Sequence, residues 1–161
     1  MSTVRLIVGT KKAAFVYTSD GAREDWELSE PMMPGWPVSH MTVDSRGDTP
    51  RLYAATNHPV WGPSVAKSSD GGATWEQRSE GLGFPKDSGL TITSIWNVVP
   101  GHESEPGVVY AGTAPGGLFK SEDWGKRGRP TTRSTGTTTV RSGSPSRAVR
   151  QRLRPSARSW R

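Results

Sequence analysis

The sequence predicts an all-β protein of repeated four-stranded antiparallel sheets, followed by a separate basic tail. Three observations support this prediction. Apolar, strand-like segments alternate with turns through the first 125 residues, an Asp-containing turn motif recurs, and the composition changes abruptly near Gly125. The 161 residues include 19 Gly and 13 Pro but no Cys, as is typical of a turn-rich β protein without disulfides.

The repeat becomes visible when three segments are aligned. They read LIVGTKKAAFVYTSDGAREDWEL, RLYAATNHPVWGPSVAKSSDGGATWEQ and VVYAGTAPGGLFKSEDWGK, and their first strands end near Thr10, Thr56 and Thr113. The aspartates of the motif are Asp20, Asp70 and Asp123, at spacings of 50 and 53 residues. Periods of this length indicate an array of supersecondary units that bury their apolar faces against one another.

The second copy of the motif, SSDGGATW, predicts a tight hairpin. The Asp70 carboxylate can accept backbone N–H groups of the turn, and the glycines that follow supply the positive φ that the turn requires. Ser68 and Thr74 place hydroxyls at its two ends. Trp75 opens the next strand and offers an apolar face to a neighbouring layer. The motif is therefore interpreted as structural.

The segments between the motifs also predict strands. HMTVDSRGDTPRLYAAT favours strands at 40–43 and 51–55, and LTITSIWNVVPGHESEPGVVYAGT favours strands at 91–99 and 108–112. No segment shows a helical pattern. About four strands in a period near 50 residues is the size of a β-propeller blade.

In these residues the chain resembles the Asp-box, or BNR-repeat, β-propellers, whose signature is Ser/Thr-x-Asp-x-Gly-x-Thr-Trp. The second copy, residues 68–75, matches at Ser68, Asp70, Gly72, Thr74 and Trp75. The first copy, 18–26, keeps Thr18 and Asp20, has Ala22 in place of the glycine, and has Trp26 one residue late. The third copy, 121–125, keeps Ser121, Asp123 and Gly125 and then departs.

The resemblance implies a fold more strongly than an activity, because sialidases, sortilin-type receptors, xyloglucanases and photosystem assembly factors share it. In this family the Asp-box hairpin joins the third and fourth strands of a blade and lies on the rim. We therefore expect residues 1–125 to form a partial β-propeller of about two and a half four-stranded blades.

Residues 126–161 form the basic tail. Residues 1–125 contain 10 Lys+Arg and 15 Asp+Glu, whereas residues 126–161 contain 11 Lys+Arg and no acid. The tail has few sizeable apolar residues and is expected to be disordered. Its charge makes nucleic-acid binding an alternative function for this segment.

The third motif breaks off where Thr-Trp is expected, because Arg127 and Gly128 stand there instead. The codons ACG TGG read as CGT GG- after the loss of one base, which encodes Arg-Gly. We therefore expect residues 127–161 to be a frameshift product and the remaining blades to be missing. Two to three blades alone expose strand edges, so the chain is expected to be poorly soluble or partly unfolded unless copies assemble to complete a ring.

The candidate ligand site is the loop that follows the YAAT strand, residues 53–56, of the second repeat. It contains Asn57, His58 and Trp61 and is longer than its counterparts. Loops that a rigid scaffold positions often carry function. The histidines lack metal-type spacing, so no metal or other cofactor is expected.

The residues expected of a glycosidase are not evident. The tyrosines Tyr17, Tyr53 and Tyr110 are interpreted as strand residues, and the Arg-Ile-Pro motif of sialidases is absent. Asp44, Asp48 and Asp87 lie among turn residues, which favours turns over a two-carboxylate site. No catalytic residue is therefore predicted.

The sequence thus favours a non-catalytic scaffold that binds an unknown small-molecule, glycan or protein ligand. The alternative is a sialidase-like or xyloglucanase-like propeller with its catalytic residues in missing blades. With no leader sequence, no apolar span and no cysteine, a cytoplasmic location is expected.

Overall fold

The computed structural model describes residues 2–131, and these form three antiparallel sheets. Sheet 1 contains β1 (Val4–Gly9), β2 (Ala14–Ser19) and β3 (Glu27–Leu28). Sheet 2 contains β4 (Val38–Asp44), β5 (Arg51–His58), β6 (Gly62–Ser68) and β7 (Glu76–Arg78). Sheet 3 contains β8 (Ser94–Pro100), β9 (Val109–Ala114), β10 (Gly117–Ser121) and β11 (Arg129–Pro130). A short 3-10 helix, Lys86–Ser88, precedes β8.

Each sheet is a meander in which every strand pairs with the next strand of the chain. The predicted all-β class, the recurrent four-stranded unit and the turns between strands are confirmed. The tail expected to be disordered spans residues 126–161 and the expected frameshift product residues 127–161; of these, residues up to 131 are described and include β11, and residues 132–161 lie outside the described part of the chain.

The incomplete sheet is the first and not the third. Sheet 1 has three strands, and a single further bridge between Ala14 and Met32 extends it on the β3 side of β2. Sheet 3 has four strands because Arg129 and Pro130 pair with Lys120 and Phe119. Folded chain therefore continues past Gly125, where the composition changes.

The three sheets pack face to face, with one core in each of the two gaps. The first core, between sheets 1 and 2, consists of Ala14, Met33, Val38, Ala54 and Ala66, with Met32, Trp36, Met41 and Trp75 packed against it. The second core, between sheets 2 and 3, consists of Tyr53, Ala55, Val65, Ile95, Val98, Val109, Ala111 and Phe119. This is the arrangement of neighbouring propeller blades.

The sequence of β5 is a continuous apolar run because this strand is covered on both faces. Ala54 points into the first core and Ala55 into the second, and both are fully buried. A strand covered on both faces needs apolar residues at every position, whereas a strand covered on one face alternates. Sheet 2 is thus the centre of the described structure.

Candidate binding site

The Asp70 hairpin, between β6 and β7, is held together by its own side chains. Both Asp70 carboxylate oxygens accept from the Thr74 amide, at 2.9 and 3.0 Å, and Oδ2 also accepts from the Thr74 hydroxyl at 2.5 Å. The Ser68 hydroxyl donates to Asp70 Oδ1 at 2.7 Å and accepts from the Gly72 amide at 2.9 Å. These bonds, led by that of the Thr74 hydroxyl, hold the Asp70 pKa well below its usual range. The carboxylate is committed to the turn.

Trp75 anchors this hairpin to the rest of the molecule. Its indole nitrogen donates to Gly72 O at 2.9 Å, and its ring packs against the first core. Gly72 has φ 101°, and a Cβ there would lie 2.5 Å from the sulfur of Met32. Glycine is required at this position because of both its conformation and its close neighbour.

The hairpin between β10 and β11 keeps the serine and main-chain bonds of this arrangement but not those of the threonine hydroxyl and the indole. Asp123 accepts from the Ser121 hydroxyl at 2.7 Å and from the Arg127 amide at 2.9 Å, and the Gly125 amide donates to Ser121 at 2.9 Å. Arg127 has no hydroxyl to donate to the carboxylate, and its guanidinium pairs instead with Glu80 at 3.1 Å. Gly128 provides no indole. The turn therefore forms without the side chains that close the Asp70 hairpin.

The hairpin between β2 and β3 differs from its prediction in one residue. Ser19, and not Thr18, is buried, and its hydroxyl donates to Asp25 O at 2.5 Å. Asp20 accepts from the Ala22 amide at 2.9 Å. Trp26 Nε1 donates to Arg23 O at 3.2 Å, which parallels the bond of Trp75. All three Asp hairpins therefore serve the fold.

The turn between β5 and β6 is organised by His58. Its Nδ1 accepts from the amides of Val60 and Trp61, at 3.1 and 3.2 Å. The imidazole also stacks against Trp36, with ring centroids 4.7 Å apart, and lies 6.4 Å from the Trp61 ring. Val60 and Trp61 are each 75% exposed. The turn thus presents large apolar side chains to solvent in a fixed conformation.

Asn57 connects this turn to sheet 3. Its side-chain Oδ1 accepts from Ile95 N at 2.7 Å, and its Nδ2 donates to Ile95 O at 3.0 Å and to Ser39 Oγ at 2.7 Å. The amide therefore uses both its donor and acceptor atoms to hold β8 against sheet 2. A side chain engaged in this way positions its neighbours and is not itself free to bind a ligand.

Trp96 is a further exposed aromatic residue, on sheet 3, next in the chain to the residue that Asn57 holds. It directly follows Ile95 at a register shift in the β8–β9 pairing between Ile95 and Asn97, and it is 61% exposed. Ser39 occupies the corresponding shift between Val38 and His40 in sheet 2. A β-bulge redirects a side chain out of the alternating pattern, and bulges are over-represented next to functional sites. Trp36, His58, Trp61 and Trp96 together are called the aromatic surface below.

Two polar groups at or next to the aromatic surface, His58 Nδ1 and the Asn57 amide, are engaged within the protein. His58 Nδ1 holds the turn, and the Asn57 amide holds Ile95. Pro63 and Ile95, which are close in the chain to Trp61 and Trp96, line a groove together with Leu82, Gly83, Phe84, Leu90, Thr91 and Ile92. The site therefore offers apolar contact area and few polar groups for orienting a ligand.

The comparisons with known proteins concern the architecture. The chain is similar to a solved structure described as YCF48 bound to D1 peptide. The two are 14% identical, and the superposition covers 80% of this chain and 43% of that chain, with a TM-score of 0.47. The match thus spans less than half of that protein. No protein-family model matches the sequence, and no curated protein matches it significantly.

The remaining candidate residues lie apart from the aromatic surface. Tyr53 is fully buried in the second core, and burial raises its pKa to about 12. Within residues 2–131, no three His, Asp or Glu side chains are grouped so as to hold a metal ion. In the same region no helix is long and apolar enough to cross a membrane.

Asp44 and Arg46 carry a structural role that the sequence did not reveal. Arg46 Nε and Nη2 donate to the two oxygens of the buried Asp44 carboxylate, at 2.8 and 2.9 Å. The same guanidinium donates to the carbonyls of His102, Glu105 and Val108 in sheet 3. Burial raises the Asp44 pKa, but the bonds from Arg46 outweigh burial and leave the pKa below its usual value.

Trp124 makes a second set of contacts between sheets 2 and 3. The Tyr53 hydroxyl donates to Trp124 O at 3.2 Å, and the Arg51 guanidinium lies 4.0 Å from the centroid of the Trp124 ring. This stacking accounts for Arg51 Nη1, which is buried without a hydrogen-bond acceptor. The sequence signal for both sets of contacts was weak, because Arg-Gly-Asp and Asp-Trp-Gly are ordinary turn sequences.

Proposed function

We propose that the protein is a non-catalytic β-propeller scaffold of the Asp-box type that binds a protein partner through the aromatic surface. One observation carries this proposal: Trp61 and Trp96 are largely exposed, yet each lies in a backbone element whose conformation internal hydrogen bonds fix. Exposed tryptophans on a rigid frame lose little entropy on binding, and tryptophan is enriched among the residues that dominate protein interfaces.

The chemistry of the surface favours a polypeptide with apolar side chains over a glycan. Of the groups that could hydrogen-bond sugar hydroxyls, the Asn57 amide and His58 Nδ1 are engaged internally, which leaves the indole N–H groups and His58 Nε2. The neighbouring groove, which includes Leu82, Phe84 and Leu90, extends the apolar contact area. An apolar side chain seated there would be desolvated together with the indole of Trp61.

The proposal is tested with peptides selected on the whole chain from a random phage-displayed library. Selected synthetic peptides are titrated by fluorescence polarisation against the wild type and against Trp61→Ala and Trp96→Ala. We expect each variant to weaken binding at least about tenfold, which corresponds to about 1.4 kcal/mol. Trp26→Ala is the matched control, because Trp26 is an exposed tryptophan in a hairpin outside the aromatic surface.

Two outcomes would contradict the proposal. The first is peptide binding that Trp61→Ala and Trp96→Ala leave unchanged, and the second is tighter binding of neutral oligosaccharides than of any selected peptide. Turnover of chromogenic sialosides or glucans by the whole chain would separately refute the non-catalytic assignment. Folding of each variant is checked by far-UV circular dichroism.

A further inference from the structure

Sheets 1 and 3 each have one face that no other sheet of residues 2–131 covers. The uncovered face of sheet 1, the first end face, carries Leu6, Val8, Phe15, Tyr17 and Leu28. The uncovered face of sheet 3, the second end face, carries Val99, Tyr110 and Leu118. The apolar side chains of both faces are exposed or partly exposed in a single copy, and on the second face Lys120 and Arg129 lie beside Tyr110.

The strand register shows which part of the fold the first end face corresponds to. A buried serine marks the same place in each sheet: Ser19 pairs with Val4, Ser68 with Leu52, and Ser121 with Val109. Two residues further along, Leu6, Ala54 and Ala111 are therefore equivalent. Ala54 is buried against sheet 1 and Ala111 against sheet 2. Leu6, at 53% exposure, has no preceding sheet to pack on.

The same register identifies the second end face. Tyr110 is equivalent to Tyr53, and Leu118 is equivalent to Val65. Tyr53 and Val65 are buried because sheet 3 covers them. Leu118 is 48% exposed, although its side chain is as apolar as that of Val65. Sheet 3 therefore presents a surface of the kind that receives the next sheet.

The two end faces are thus the two halves of the interface that already joins sheets 1, 2 and 3. We propose that a second copy of this chain covers both, with sheet 3 of each copy packed on sheet 1 of the other. The proposal is independent of the aromatic surface and of its ligand.

The number of sheets decides the stoichiometry. Residues 2–131 of one copy form three sheets, so the same residues of two copies form six and those of three copies form nine. Propellers close with about four to eight blades, so two copies fall inside this range and one or three fall outside it. A head-to-tail contact that closes after two copies gives a twofold-symmetric ring with two identical interfaces.

The first test is the mass of the whole chain by light scattering during size-exclusion chromatography. We expect twice the 17.4 kDa of one chain for the wild type. Leu6→Glu and Leu118→Glu each place a charge in both interfaces of the ring, and each is expected to give a monomer. Leu90→Glu is the matched control, because Leu90 is 50% exposed and lies on neither end face.

Mixing the two monomeric variants distinguishes this geometry from contacts between identical faces. A pair of Leu6→Glu and Leu118→Glu chains has one interface with both substitutions and one with neither. We therefore expect the mixture to recover dimers that neither variant forms alone. If identical faces paired instead, only one of the two substitutions would abolish the dimer.

A cross-linking experiment covers the case in which a charged variant fails to fold. The chain has no cysteine, so Leu6→Cys and Leu118→Cys each add a single thiol. A short bismaleimide should link the two variants to each other in a mixture and link neither to itself. A wild type that is monomeric at all concentrations, a dimer that survives both glutamate substitutions, or linkage within one variant would overturn the proposal.

Discussion

The side-chain amide of Asn57 pairs with the main chain of Ile95 through two hydrogen bonds, of 2.7 and 3.0 Å. This pairing joins the end of β5 to Ile95 of β8, directly before the bulged Trp96. At the equivalent place between sheets 1 and 2, Gly9 lies against Val38, and a Cβ there would be 2.7 Å from Val38 O. The two gaps between sheets are thus closed by different means, a close backbone approach in one and a side-chain amide in the other.

Replacing Asn57 should therefore weaken the contact between sheets 2 and 3. Asn57→Ala leaves the amide and carbonyl of Ile95 without their partners at a largely buried position, and we expect a loss of about 1–3 kcal/mol in the free energy of unfolding. Urea denaturation at one fixed protein concentration measures it. Asn97→Ala is the control, because Asn97 Oδ1 accepts from Gly112 N within one sheet at an exposed site. An equal loss in both variants would contradict the role of Asn57.

Replacing Arg46 should lower the free energy of unfolding by more than replacing Asn57. Arg46→Met leaves the fully buried Asp44 side chain without its cation and removes three bonds to sheet 3 carbonyls. The expected loss is about 3–5 kcal/mol, measured by the same denaturation. The control, Arg78→Met, breaks an exposed pair with Glu76 and should change stability little. A double variant, Asp44→Asn with Arg46→Met, should recover part of the loss if the unpaired charge is its cause.

The Asp44–Arg46 pair also predicts how stability depends on pH. The folded-state pKa of Asp44 lies below its usual value, so its contribution is fully present above the unfolded-state pKa of about 3.9 and is lost as the pH falls through the folded-state pKa. The wild type should therefore be more stable than Asp44→Asn at neutral pH, and this difference in stability should disappear below about pH 4. Thermal unfolding from neutral to acid pH measures both proteins. A constant difference in Tm across this range would refute the assignment.

The Asp123 hairpin should become more stable when a threonine replaces Arg127. Arg127→Thr supplies a hydroxyl that can donate to Asp123, as the Thr74 hydroxyl donates to Asp70. We expect a gain of about 0.5–1 kcal/mol, less the small contribution of the exposed Arg127–Glu80 pair. The reciprocal control, Thr74→Arg, should lower the Tm. If neither substitution changes the Tm, the hydroxyl is not part of what stabilises these turns.

The tryptophans should divide into structural and surface classes. Trp61→Ala and Trp96→Ala are expected to change the free energy of unfolding by less than about 0.5 kcal/mol, because both side chains are largely exposed. Trp75→Ala should cost about 2–3 kcal/mol, because Trp75 packs on the first core. Chemical denaturation of the three variants tests this division. A large loss for Trp61→Ala would assign it to the fold and argue against the aromatic surface as a binding site.

Local sequence patterns predicted most elements of this fold, but not β11, which lies in the segment assigned to the tail. The alternation around His40 and the apolar run from Leu52 to Ala55 predicted β4 and β5, and the Asp-Gly turn predicted the hairpin at Asp70. Each of these signals depends on residues that are close in the chain. The burial of Ser19 instead of Thr18 was not predictable, because the motif places its hydroxyl two residues before the aspartate and only the pairing of β1 with β2 decides which hydroxyl is buried.

The candidate site was predicted in part. The loop of Asn57, His58 and Trp61 was recognised from its length and aromatic content, but Asn57 proved to be engaged with Ile95, which is 38 residues away in the chain. The sequence does not identify Trp96 as a site residue, because an apolar residue within a predicted strand is expected to be part of the core. Its exposure follows from the register shift between Ile95 and Asn97, which depends on the partner strand.

The sequence by itself determined the strands, the Asp hairpins and their spacing, because these follow from periodicity and turn chemistry within about ten residues. The tertiary structure alone decided which apolar faces are covered and which remain open. Tyr53 and Tyr110 occupy equivalent positions in similar strands, yet only Tyr53 is fully buried. The difference is the presence of a following sheet, and burial between sheets is a property of their packing that no single strand encodes.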